Sequence, residues 1–164
     1  MTLSETLLEK LGDWRPAEEV GDGRPAAPID LDGHGWSVTV AAERFDSLSC
    51  LLNGVEATRN SPVAADSVAL EAHARKVATR VTGLLEPLRL VEIDRSRDVA
   101  LLRSDAPPTK GDNVLFYEVQ FEGRNRVTVN RYQASKPARA SKVAIPFGLT
   151  HEVLAKLVDD LVRE

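Results

Sequence analysis

Six basic side chains, Arg124, Arg126, Arg131, Lys136, Arg139 and Lys142, fall between Gly123 and Val143 without one acidic residue, with Asn125, Asn130 and Tyr132 interleaved. Cations at this density, on a strand and the loop after it, can contact phosphates or an acidic partner surface. Arg124, Arg126, Arg131, Lys136 and Arg139 are therefore the candidate contacts with an anionic partner. The competing structural explanation is a solvated strand face whose cations pair with Glu118, Glu122 or the acidic N-terminal half, since charge runs commonly serve solubility and edge protection. Arg95 and Arg97 are balanced at once by Asp94 and Asp98.

Other chemistry-bearing residues form weaker patterns. Asp30-Leu31-Asp32-Gly33-His34-Gly35 places carboxylates at alternate positions ahead of glycine, as the start of a calcium loop does. With Asp30 first, however, the third ligand position holds His34 and the closing carboxylate position holds Ala41, so the stretch reads as a glycine-rich turn entering a strand. His34, His73 and His151 have no partner at four-residue spacing, and each reads as a surface histidine. Cys50 needs a neighbouring histidine or helix N-terminus to become a nucleophile, and its apolar strand setting predicts packing instead. Gly21-Asp22-Gly23 and Gly33-His34-Gly35 lack the strand before and helix after that cradle a phosphate. These patterns point to no catalytic residue, metal site or cofactor.

Composition narrows the class. The chain has 164 residues, 43% of them hydrophobic, enough to bury one sizeable core, and a single domain over residues 1–164 is expected. Its net charge of −4 offers no overall basic excess to attract nucleic acid or anionic lipid. The sign is uneven: residues 1–72 hold five basic and thirteen acidic side chains, residues 73–164 sixteen basic and twelve acidic. One cysteine cannot form an intramolecular disulfide, which points to the cytoplasm. Glu5 and Glu9 near the N-terminus and the absence of a long apolar run argue against a secretory signal or a membrane span.

The elements that must position these groups follow from periodicity. Thr2 and Glu5 make a capping box, and Leu3, Leu7, Leu8 and Leu11 recur at helical spacing, so residues 1–14 form an N-terminal helix that extends to Trp14. Residues 15–35, with Pro16, Pro25, Pro28 and four glycines, predict an extended surface connection before an α+β core over residues 36–164. Trp36, Val38, Val40 and Ala42 alternate with more polar residues as in a strand with one buried face. A turn at Phe45-Asp46 leads to a second strand through Leu48, Cys50 and Leu52, although Asn53-Gly54 is a competing hairpin signal. Asp66 starts a central helix with Leu70, Ala74, Val77, Ala78, Val81, Leu84 and Leu85 on one stripe, and Pro87 ends it.

Two hairpins follow, Leu88 to Ile93 with Val99 to Arg103, then Leu115 to Phe121 with Val127 to Tyr132, where Tyr132 departs from the Val127/Val129 alternation and suggests a bulge. A last helix from Thr150 to Arg163 carries Val153, Leu154, Leu157, Val158 and Leu161. The pattern predicts an α+β fold, a single antiparallel sheet of five to six strands with helices mainly on one face.

The order of elements Leu3–Leu11, Trp36–Leu52, Leu70–Leu85, Leu115–Val129 and Val153–Leu161 resembles that of type III secretion chaperones and related small bacterial α+β regulators. That resemblance implies a non-enzymatic protein, usually homodimeric. The leading expectation is thus a cytoplasmic module that binds a protein partner through apolar surface, with Trp14, Phe116 and Leu149 as candidates and a homodimer through the central or C-terminal helix as one form of it. Nucleic-acid or acidic-ligand binding through the 124–142 segment is the alternative. A third is an enzyme whose site assembles from residues distant in sequence.

Overall fold

The capping box at Thr2 forms as the sequence predicts: the Glu5 N–H donates to Thr2 Oγ1 and the Thr2 N–H to Glu5 Oε2, opening helix α1, Leu3–Gly12. Leu3, Leu7 and Leu11 are its buried stripe. The computed structural model describes residues 1–13, 28–105, 108–135 and 141–164. Trp14 and most of the expected Pro/Gly-rich connection lie outside them.

The connection's last residues are not a surface loop. Ile29–Gly33 is a strand, β1, that turns through His34 (φ 53°) and Gly35 (φ 81°) into β2, Trp36–Phe45. Asp30 and Asp32 face solvent and accept hydrogen bonds from Thr39 and Ser37 across this hairpin. The next turn falls at Asp46, whose Oδ1 accepts the Leu48 and Ser49 N–H groups, so β3 runs over Ser49–Arg59 with Asn53-Gly54 inside it.

Helix α2, Ser67–Arg80, is capped by Asp66 and buries Leu70, Ala74 and Val77. It stops seven residues before Pro87. Val81 turns extended, which lets Val81 and Leu84 enter the core and brings Gly83 against Val153. A Cβ on Gly83 would lie 2.7 Å from Val153 Cγ1. Leu85, expected on the buried stripe, is exposed.

Strands β4 (Leu88–Asp94), β5 (Val99–Ser104), the short β6 (Thr109–Lys110), β7 (Asn113–Glu122) and β8 (Arg126–Ser135) supply the two expected hairpins. Register between β7 and β8 is continuous from Asn113↔Ser135 to Glu122↔Arg126, so there is no bulge at Tyr132. Tyr132 leaves the Val127/Val129 alternation because it belongs to the other face. Strands β9 (Val143–Ile145) and β10 (Phe147–Thr150) lead into α3, His151–Val162.

Among the described residues all ten strands join one antiparallel sheet, with the path β1-β2-β3-β8-β7-β5-β4 and β6, β9 and β10 paired to its members. The class is α+β as expected, but the sheet holds ten strands where five to six were predicted. Strands β3 and β8 pair only from Val55↔Val129 to Thr58↔Arg126 and then diverge, and β9 along β8 and β10 along β3 fill the opening. Gly54 marks the divergence. A Cβ there would sit 2.7 Å from Asn130 Nδ2, the group that donates to the Asn53 carbonyl across the gap.

Buried residues of all three helices and of one sheet face form one core cluster, from Leu7, Leu70 and Leu154 to Val40, Leu102, Phe121 and Val129. Phe116 and Leu149, expected as apolar partner surface, are corrected by this packing. Leu149 on β10 is 6% exposed within the main core. Phe116 is 0% exposed in a small cluster with Val114 and Ala134 on the opposite face, beneath Tyr132 and the Arg103 guanidinium. Neither has apolar area left to offer a partner. Among the described residues no helix is long and apolar enough to cross a membrane.

Candidate functional site

The basic run does not make one surface, and the reason is the two-residue period of a strand. Arg126 and Arg131 sit at even and odd positions of β8 and so point to opposite faces. Arg126 faces outward, paired with Glu56 through its Nε and Nη2 (3.1 and 2.9 Å) and with Glu122 through Nη1 (2.9 Å). Arg131 points into the core, where its Nη1 lies 3.4 Å from each Glu86 oxygen and its guanidinium covers the Tyr117 ring at 4.2 Å. Lys142 pairs with the buried Glu118, which also accepts from Arg103. Lys136 and Arg139 lie outside the described residues. These pairings leave Arg124 as the available candidate among the described members of the run.

Arg124 lies in the turn between β7 and β8, and that turn is firmly built. Gly123 takes φ +54°, a left-handed conformation that glycine adopts without strain, while its N–H donates to the Asp98 carbonyl at 2.6 Å. The Asn125 side chain accepts the Val63 N–H and donates to the Val63 carbonyl at 2.7 and 3.0 Å. Arg59, at the end of β3, donates from its N–H to the Asn125 carbonyl and from Nε to the Arg124 carbonyl. Its guanidinium rests on the Trp36 ring at 4.6 Å. Two arginines are thus fixed side by side by backbone geometry.

Helix α2 completes the site. His73 and Lys76 line, with Arg59 and Arg124, a cavity of about 240 Å³. Arg80 stands one turn further along. The spacing His73, Lys76, Arg80 keeps all three on one helical stripe. Leu70, Ala74 and Val77 on the neighbouring stripe anchor the helix in the core. His73 is half-buried, open to the cavity on one side and meeting the Phe121 ring edge-on at 5.6 Å on the other.

Among the described residues lining the cavity there is one acid, Glu164. Arg59 Nη2 donates to Glu164 Oε1 at 2.8 Å, and Arg80 donates to the Arg163 and Glu164 main-chain oxygens at 2.5 and 3.3 Å. The Lys76 ammonium and the Arg124 guanidinium make no hydrogen bond or ion pair among the described residues, and Arg124 Nε is buried without a partner. A buried donor with no acceptor is uncommon in a folded protein.

The field of this cluster is visible in its titrating groups. Burial holds the His73 imidazole below its ordinary value, and the Arg80, Arg59 and Arg124 guanidiniums push it the same way, while Glu164 opposes them. The hydrogen bond and charge of Arg59 hold the Glu164 carboxyl below the usual carboxylate range. His73 consequently takes its proton at lower pH in the fold than in the unfolded chain. Its contribution to stability is complete above pH 6.5 and is lost as pH falls toward the lowered folded value. Replacing His73 with Gln is expected to flatten this acid-side loss, measured by urea unfolding between about pH 7 and pH 5.

Other candidates are spent on structure. Burial pushes the Cys50 thiol up to about 12, which removes the thiolate that a nucleophile needs. A wider depression between α1 and α3, about 710 Å³, is open, and its Lys156 and Asp160 pair with each other while Asp159 accepts the Ser4 N–H. Among the described residues no group of three or more His, Cys, Asp or Glu side chains could hold a metal ion.

The fold and site together define an antiparallel α+β protein with a small cationic cavity where α2 meets two strand ends. Comparison with known proteins finds no matching family model, no matching curated protein and no matching solved structure.

Sequence reasoning found Arg124 and missed Arg59, His73, Lys76, Arg80 and Glu164. The signal for three of these was present as the stripe on α2. Arg59 and Glu164 carry none, because only the sheet register and the seating of α3 bring them to the cavity.

Proposed function

We propose that this protein is a non-catalytic binding module whose Arg59, His73, Lys76 and Arg124 cavity takes an acidic ligand. The observation that carries the reading is the unspent charge: among the described residues Arg124 and Lys76 make no ion pair, at a site already prepared by a fixed Arg59. The guanidiniums of Arg59 and Arg124 stay charged and are not deprotonated in proteins, so they suit recognition of an anion better than proton transfer. The element order supports a binding role as well, through the resemblance to secretion chaperones, although the site that we propose is polar and not the apolar surface first expected.

Equilibrium binding of a short polyglutamate tests this. Arg59→Ala and Arg124→Ala are each expected to weaken binding by about tenfold or more, the scale of a charge-assisted hydrogen bond, while Arg89→Ala on the far edge strand leaves it unchanged. Affinity should also fall as salt rises. Equal binding by all the variants would refute the assignment.

A further inference from the structure

We infer that the cavity's ligand is an extended acidic peptide bearing two or more carboxylates, and that Arg163 and Glu164 occupy its place within the chain. This inference rests on the anion-binding reading above and specifies its ligand.

The contacts that hold residues 163 and 164 are those a peptide offers and a free anion does not. Helix α3 ends at Val162, and Arg163 is extended (φ −70°, ψ 131°). One guanidinium, Arg59, takes the carboxylate, and another, Arg80, spans two successive main-chain oxygens. Inorganic phosphate could satisfy the first contact but has no backbone for the second. The occupant is also easily displaced, because the Glu164 side chain is 74% exposed and an ion pair so open to water contributes little.

The segment already present fills only part of the site. With Glu164 in place, Lys76 and Arg124 still have no carboxylate within ion-pair distance among the described residues, so one acid does not saturate the cluster. A peptide with a second acidic residue supplies what the intramolecular segment lacks. Arg80 then serves as the backbone clamp, and Arg59, Lys76 and Arg124 read the acids.

The test uses the full chain, its Glu164→Ala and Glu164→Gln variants, and three probes: acetyl-Glu-Ala-Glu-amide, acetyl-Gln-Ala-Gln-amide and inorganic phosphate, with affinities from calorimetry. Both variants are expected to bind the diacid peptide about two- to fivefold more tightly than the unaltered protein, the scale of an exposed ion pair, and the diamide at least about tenfold more weakly than the diacid. Phosphate should bind more weakly than the diacid peptide. Equal diacid affinity in variants and unaltered protein would overturn the displacement, and tighter binding of phosphate would overturn the peptide, leaving the anion site standing in both cases. Failure of every probe to bind any of the three proteins would remove the anion site as well.

Discussion

Arg131→Met is expected to destabilise the fold by about 3–5 kcal/mol, because it strands the Glu86 carboxylate inside the protein without its counter-ion. Both partners are buried, Arg131 at 5% and Glu86 at 7% exposure, and the guanidinium contacts both that carboxylate and the Tyr117 ring. The cost arises from the charge left behind. Arg131→Met combined with Glu86→Leu should therefore recover most of the loss, since two apolar side chains of similar volume need no water or partner. Urea unfolding of the single and double variants checks this. A single variant as stable as the double would show that the pair is not desolvated as described. The same geometry removes Arg131 from any partner surface, which is why a basic run in sequence does not become a basic patch.

Leu70→Ala should be nearly as severe, at about 2–5 kcal/mol, because the residue is fully buried where α2 meets the sheet and its removal leaves a cavity. The consequence extends to the site. His73 and Lys76 reach the cavity, and Arg80 the segment beside it, only while α2 is held by Leu70, Ala74 and Val77, so a loosened helix should also weaken anion binding under conditions where the variant remains folded. Leu8→Ala, on the exposed side of α1, should alter neither property. Thermal unfolding and polyglutamate binding, measured on the same preparations, separate the two effects.

Much of the fold could be read locally. The Thr2/Glu5 capping box, the Trp36 to Ala42 alternation and the Leu115 to Phe121 strand each carry their structure within ten residues or so. Strands β9 and β10 could not be read in that way. They are strands because β3 and β8 separate at Gly54 and leave unpaired edges, a condition set by chain far away in sequence. Strand β1 was hidden among glycines and aspartates that look like loop, although Ile29 and Leu31 alternate with Asp30 and Asp32 and pair with Val40 and Val38. Helix α2 ended early because tertiary packing draws Val81 and Leu84 into the core, which overrides a periodic stripe that continues to Leu85.

The site was less legible than the fold. Sequence reasoning treats a charge run as one feature, whereas the alternation of β8 sends Arg126 to Glu56 and Arg131 to Glu86. Arg124 escapes this because it lies in the turn, where side chains do not alternate. Its partners come from β3, α2 and the end of α3, elements with no reason in sequence to be grouped. His73 resembled an ordinary surface residue until the Phe121 ring and three arginines were placed around it.

The most direct test of the cationic cavity is the pH titration of His73, followed by the NMR signals of its ring. Glu164 is the acid that opposes the arginines there, so Glu164→Gln should shift the His73 midpoint to lower pH than in the unaltered protein. Saturating that variant with acetyl-Glu-Ala-Glu-amide should bring the midpoint back up, because the ligand's carboxylates restore the lost negative charge. A midpoint that moves with neither the substitution nor the peptide would contradict the account.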